Sequence, residues 1–145
     1  MEDIGIGLHD LMKVVRRLKQ HRAAEHPVIP SGMLGVLAEI DRLPTGCLAR
    51  DLATRSGLDA STVSRAVSAL VKEGLVRRRA DEHDGRATRL LVTEAGQEAL
   101  RDSMDWYGRV IAESLGSWSP AEIEAFSRSL ERFTTSVEET LDRHG

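Results

Sequence analysis

From Ile4 onward the apolar residues Ile4, Leu8, Leu11, Val15 and Leu18 recur every three or four positions, the stripe of an amphipathic helix that stops before Pro27. A second helix is predicted to begin near Ser31, behind Pro30, to bury Met33, Val36, Leu37 and Ile40, and to end at Pro44. Cys47 and Leu48 suit a brief strand. The stretch from Leu52 to Val67, LATRSGLDASTVSRAV, then reads as two short helices joined at Ser56-Gly57-Leu58, with Leu52, Ala53, Leu58, Val63 and Ala66 on their touching faces. Gly57 stands where the chain swings sharply and positive φ is favoured, and Asp59 caps the helix that follows. Gly74 ends that helix, and Leu75 to Thr93 forms two strand-like runs around a polar turn.

Thr93 is a cap for a fifth helix carrying Leu100, Met104, Val110, Ile111 and Leu115. Ser119-Pro120-Ala121-Glu122 is a capping box for a sixth, whose stripe is Ile123, Phe126, Leu130, Phe133, Val137 and Leu141. The result is a mainly α chain with a small β-hairpin wing. Helix, turn, helix and hairpin in that order make a winged helix-turn-helix over residues 31–93, and residues 1–30 and 94–145 form a helical region read as the means of dimerisation.

Charge changes the picture, because the net −3 is unevenly placed. Residues 1–44 balance, residues 45–93 carry nine Lys or Arg against six Asp or Glu, and residues 94–145 carry five against eleven. Positive charge therefore gathers on the winged segment, as expected of a partner for phosphate. At 145 residues and 41% hydrophobic, the chain is long enough for a real core. No apolar run approaches the roughly 20 residues that span a bilayer, the N-terminus MEDIGIGLHD is acidic where a signal peptide is basic, and the lone Cys47 suits a reducing compartment. The expected location is the cytoplasm, with no membrane partner.

The face of the second motif helix left free by its apolar positions carries Ser61, Ser64, Arg65, Ser68 and Lys72, which suits a groove of double-stranded DNA. Ser61 and Thr62, at its N-terminal end, are placed to meet base edges or phosphate. Arg65, one turn on, has the reach for a bidentate contact to guanine, while Ser64 and Ser68 suit packing or phosphate. Arg86 in the polar turn has no core duty and suits a narrow A·T-rich minor groove, with Asp84 orienting a neighbouring arginine. Strand alternation sends Arg77, Arg78 and Arg79 to two faces, and of these only Arg78 is assigned to phosphate.

The end helices must bury their stripes on their own domain or on a second copy. We read the second copy: a two-fold reader needs recognition helices about 34 Å apart, and these helices supply the spacer. The interface residues are then Ile4, Leu8, Leu11, Val15, Ile123, Phe126, Leu130, Phe133 and Val137.

The motifs LA...GLDASTVSR, KEGLVRRR, the Asp84 and Arg86 pair, and LLVTEAG, in this order and spacing, resemble the MarR family of bacterial winged helix-turn-helix transcription regulators. That resemblance implies an obligate homodimer built on the first, fifth and sixth helices, with the helix from about Ala60 to Glu73 in the major groove and Arg86 in the flanking minor groove. The expected target is a pseudo-palindromic operator and the expected role a repressor, with repression or activation turning on where that operator lies relative to the promoter. Members of that family often release DNA on binding a small aromatic acid or on oxidation of a cysteine. Cys47 does not stand in the N-terminal helix, where redox-sensing members place theirs, and reads as a small buried apolar residue. His9, His21, His26, His83 and His144 make no close ligand set with it, so no metal or cofactor is expected. Trp106, Tyr107 and Trp118 either line a pocket or belong to the core, and no effector is named. An enzyme is disfavoured, since no nucleophile with a base and no phosphate-binding glycine loop occurs. The alternative is a winged-helix adaptor that binds protein and not DNA; it should expose apolar anchors where this chain has serines and arginine.

Overall fold

The computed structural model describes residues 1–25, 28–30 and 32–145. His26, Pro27 and Ser31, where the sequence predicts the first helix to stop and the second to begin, lie outside the described residues. In order the elements are α1 (Glu2–Glu25), α2 (Leu34–Asp41), β1 (Cys47–Leu48), α3 (Ala49–Ser56), α4 (Ala60–Lys72), β2 (Val76–Ala80), β3 (Thr88–Val92), α5 (Glu94–Ser114) and α6 (Pro120–His144). Two compact units contain them, Met1–Trp106 and Tyr107–Gly145.

In the first unit, burial follows the predicted periods. Val36, Leu37 and Ile40 of α2, Leu52 of α3, and Val63, Ala66, Val67 and Leu70 of α4 converge on Cys47, Val76 and Leu90 of the sheet. Met33 precedes α2 as its N-cap and is only half-buried, and α2 ends at Asp41, ahead of Pro44. The hairpin is the predicted one, and β1 joins it: the sheet order is β1-β3-β2, all antiparallel, with Leu90 opposite both Cys47 and Arg78.

Two hydrogen-bonded caps shape the helix-turn-helix. At the end of α3, Gly57 adopts φ +63, Leu58 N–H donates to Ala53 O, and Gly57 N–H donates to Thr54 O. At the end of α4 the same pair of bonds recurs around Gly74, φ +73, from Leu75 to Leu70 and from Gly74 to Val71. A left-handed residue lets these amides fold back on carbonyls that the helix leaves unpaired. The expectation for Leu58 fails here. It falls in the turn just past the cap, and 41% of it is exposed instead of lying between the two helices.

Helix α5 begins against the same core. Thr93 Oγ1 accepts the N–H of Gly96 at 3.0 Å and donates to Gly74 O at 2.6 Å, so the predicted cap also ties α5 to the turn after α4. Ile29, Ala99 and Leu100 complete the core. The C-terminal end of α1 is fastened to α5 twice: the buried Arg22 donates to Ser103 Oγ at 3.2 Å, and Trp106 Nε1 donates to Glu25 Oε2 at 2.6 Å. Further up α1, Ile4, Leu8, Leu11 and Val15 stand exposed.

The second unit is dominated by α6, a 25-residue helix with no buried residue. Its capping box forms as predicted: Ser119 Oγ accepts from Glu122 N–H, and the Glu122 carboxylate accepts from Ser119 N–H at 2.8 Å. The ring of Trp118 meets Phe126 edge-on, centroids 5.5 Å apart. Among the described residues no helix is long and apolar enough to cross a membrane.

Two glycines of α5 should respond oppositely to the same change. A Cβ on Gly96 would collide with Leu75 O and stand 2.7 Å from Val92 Cγ1, whereas one on Gly108 meets nothing within 4 Å. Gly96→Ala is expected to destabilise by about 1–3 kcal/mol through overpacking, and Gly108→Ala to stabilise by up to about 1 kcal/mol through helix propensity. Urea or thermal unfolding of the two variants measures both signs.

Candidate nucleic-acid interface

The direction of α4 follows from its buried side. With Val63, Ala66, Val67 and Leu70 inward, Ser61, Ser64, Arg65, Ser68 and Lys72 stand exposed on the other side and Thr62 is half-buried. The sequence-predicted face is thus assembled on one helix.

Its N-terminal end is more organised than the sequence suggests. Asp59 caps α4 by accepting the Thr62 N–H at 2.8 Å, and it also accepts both the Ser61 and the Thr62 hydroxyls. The Ser61 hydroxyl first, then the Thr62 hydroxyl and amide, hold the Asp59 carboxyl far below the usual carboxylate range. With its proton directed at Asp59, the exposed Ser61 hydroxyl keeps only acceptor lone pairs for a partner, a pattern that fits amino groups on base edges better than phosphate oxygens. Arg65 Nη2 leans on Thr62 Oγ1 at 3.4 Å.

Register decides the three consecutive arginines of β2. Arg78 lies opposite Leu90 and shares the sheet face of Val76, whereas Arg77 and Arg79 lie opposite Leu91 and Arg89 on the other face. Arg78 accordingly lines, with Arg50 and Ser64, a groove of about 300 Å³ between α3, α4 and the hairpin. A second groove, of about 340 Å³, lies at the wing tip and is lined by Arg50, Asp84, Arg86 and Thr88 among others.

The wing turn is wired by two aspartates with different tasks. Asp84 Oδ1 accepts the backbone N–H of Arg86 at 3.1 Å, so it shapes the turn that carries Arg86. The carboxylate that grips a guanidinium is Asp81: its Oδ1 accepts from Arg89 Nε at 2.9 Å and Nη2 at 2.7 Å, and its Oδ2 accepts the amides of His83 and Asp84. Arg89 also donates to Gly46 O at 2.8 Å, tying the wing to the loop before α3. Sequence reasoning missed Asp81, Arg89 and Arg50. For Asp81 the signal was present, an aspartate two and three residues ahead of turn amides; for Arg89 and Arg50 none was, because Arg89 reaches across the hairpin to Asp81 and 43 residues back to Gly46, and Arg50 takes its place only from the way α3 meets the hairpin.

The remaining candidates are placed as follows. Cys47 is buried in the sheet, opposite Leu90, and burial pushes its thiol above its ordinary value. Trp106 is buried and Trp118 half-exposed on Phe126. Among the described residues no three His, Cys, Asp or Glu side chains are grouped to hold a metal ion, and His26 lies outside them.

Residues 33–87 match the sequence model of the MarR family. The chain is 32% identical over 83 residues to the uncharacterised HTH-type transcriptional regulator YxaD of Bacillus subtilis (strain 168), an alignment covering 57% of this chain and 58% of that protein, less than two thirds of the relative's length. Among solved structures it is similar to the transcriptional regulator SlyA, with a TM-score of 0.80 at 21% identity over 95% of this chain and 98% of that one. It is equally similar to a MarR transcriptional regulator from Methanosarcina mazei Go1, with a TM-score of 0.81 at 24% identity over 96% and 99% of the two chains.

The Asp81 clasp generates a prediction about the wing. The Arg89 guanidinium, foremost, lowers the Asp81 carboxyl below its ordinary value, so the clasp is complete above the ordinary carboxylate range and is lost as pH falls through the lowered one. Amide exchange at His83, Asp84 and Ala87 is expected to rise roughly tenfold in Asp81→Asn, with Leu70 of α4 unchanged. The wild-type wing should hold at about pH 5 and loosen only in stronger acid. Wing protection equal to wild type in the variant would show that the clasp does not hold the turn.

Proposed function

We propose, from the match of residues 33–87 to the MarR family, that this chain is a MarR-type, sequence-specific transcription regulator binding double-stranded DNA as a homodimer. The observation that carries the reading is the bare Ser61, Ser64, Arg65 and Ser68 face of α4, continuous with grooves whose cations are Arg78, Arg50 and Arg86. In this reading α4 enters the major groove, Arg65 pairs with guanine, and Arg86 reaches the adjoining minor groove. A protein-binding adaptor would offer apolar or aromatic anchors on that face, and α4 offers hydroxyls and cations.

Dimerisation is supported by α6 and α1. Ile123, Phe126, Leu130, Phe133 and Val137 alternate at three and four residues, the seam of a helix made to pack on another helix, yet each is 37–45% exposed in the single chain. Ile4, Leu8, Leu11 and Val15 of α1 present a second such stripe. Covering both with a second copy accounts for the helical region at 1–30 and 94–145 and sets two copies of the winged segment 31–93 on one duplex, a pseudo-palindromic operator. The protein acts in the cytoplasm and represses where its operator overlaps the promoter, because a bound dimer excludes polymerase.

The readout is tested with an operator obtained from the protein's own promoter or by selection from random duplexes, titrated at fixed salt. Arg65→Ala is expected to lose about 1–3 kcal/mol on the operator and little on unrelated DNA, relaxing preference at one base pair in each half-site. Arg86→Ala is expected to weaken only operators with A·T-rich flanks. Wild-type affinity in both variants would sink the readout.

The dimer is tested separately. Sedimentation should give about 32 kDa, twice the 16.0 kDa chain, and Leu130→Glu should give the single chain and lose specific binding. A wild-type protein of 16.0 kDa at micromolar concentration would end the dimer reading.

A further inference from the structure

Arg50 belongs neither to the helix proposed to read the major groove nor to the wing. It is the second residue of α3, its side chain is 67% exposed, and the Asp51 carboxylate stands 4.0 Å from its Nε, too far for a hydrogen bond. Its position is distinctive in one respect: Arg50, with Ala49 and Thr88, lines both the groove beside α4 and the groove at the wing tip. Arg50 therefore stands at the seam between the two surfaces.

The geometry of B-form DNA says what must pass along such a seam. A major groove and the minor groove next to it share one wall, which is a sugar-phosphate strand. Any protein that places a helix in one and a hairpin in the other has to straddle that strand, and the residues midway face its phosphates. The neighbours at the seam, Ala49 and Thr88, are small, which leaves room for a ribose-phosphate chain. The residue facing it is a planar, permanently charged fork suited to phosphate oxygens.

We propose that Arg50 clamps the phosphodiester of the strand that divides the two grooves, setting the register of α4 and the wing on the duplex without reading a base. The inference rests on the DNA-binding reading above.

The test uses full-length dimer and operator duplexes in which single phosphates are replaced, one at a time, by uncharged methylphosphonate. Wild type is expected to lose affinity when the phosphate between half-site and flank is neutralised. Arg50→Ala should bind the unmodified operator and unrelated DNA about tenfold more weakly alike, lower the salt slope by about one, and be indifferent to that single replacement; Arg50→Lys should restore most of the affinity. Thermal unfolding of Arg50→Ala should match wild type, since the side chain is exposed. If Arg50→Ala equals wild type in affinity and slope, changes base preference as Arg65→Ala is expected to, or remains as sensitive as wild type at that phosphate, the clamp is refuted while DNA binding stands. If wild type binds no duplex, the DNA-binding reading fails and the clamp falls with it.

Discussion

The inward set of Val63, Ala66, Val67 and Leu70 governs everything this surface offers. At about 100° per residue, burying those four leaves Ser61, Ser64, Arg65 and Ser68 no place but the opposite side of α4. The helix is also held at both ends, by Asp59 at its start and by the cap around Gly74 at its finish. A polar face on a helix free to roll would present different residues at different moments. On α4 the core removes that freedom, and the outward residues become a fixed array.

The hairpin is held to the same standard of rigidity by polar means. Its outer end has few apolar residues to bury, so hydrogen bonds take over where packing stops: Asp81 joins Arg89 and two turn amides, Asp84 joins the amide of Arg86, and Arg89 reaches the carbonyl of Gly46. Charged hydrogen bonds of this kind are directional, so they fix the shape of a projecting turn that has little apolar surface to bury. The anchor at Gly46 lies in the loop leading to β1 and α3, the element bearing Arg50. Wing and helix-turn-helix are in this way referenced to one another through backbone.

The terminal helices show the complementary situation. Helices α5 and α6 are capped by Thr93 and Ser119, and α1 and α6 carry regular apolar stripes, yet both stripes remain open to solvent in a single chain. Helices of this length are seldom stable on propensity alone and draw most of their stability from packing, so a well-formed stripe without a cover is a demand for a second surface. The symmetric partner proposed above would meet that demand and at the same time supply the spacing that two copies of α4 need on one duplex.

Sequence alone suffices for the elements, their caps and the outward face of α4, because these depend on neighbours within a few residues: the 3.6-residue period, the Asp59 and Thr93 caps, the Ser119 to Glu122 box, and the glycines at 57 and 74. It misjudged Leu58, whose apolar character says nothing of the cap that turns it outward. It takes the folded chain to show that Asp81 rather than Asp84 holds a guanidinium, that Arg78 shares the face of Leu90, and that Arg50 stands where two grooves meet. The first two are contacts across the hairpin, between residues eight and twelve apart in the chain, and the third brings α3 against it. Such pairings are set by strand register and by how α3 and the hairpin settle on a common core, and neither leaves a local period to be read.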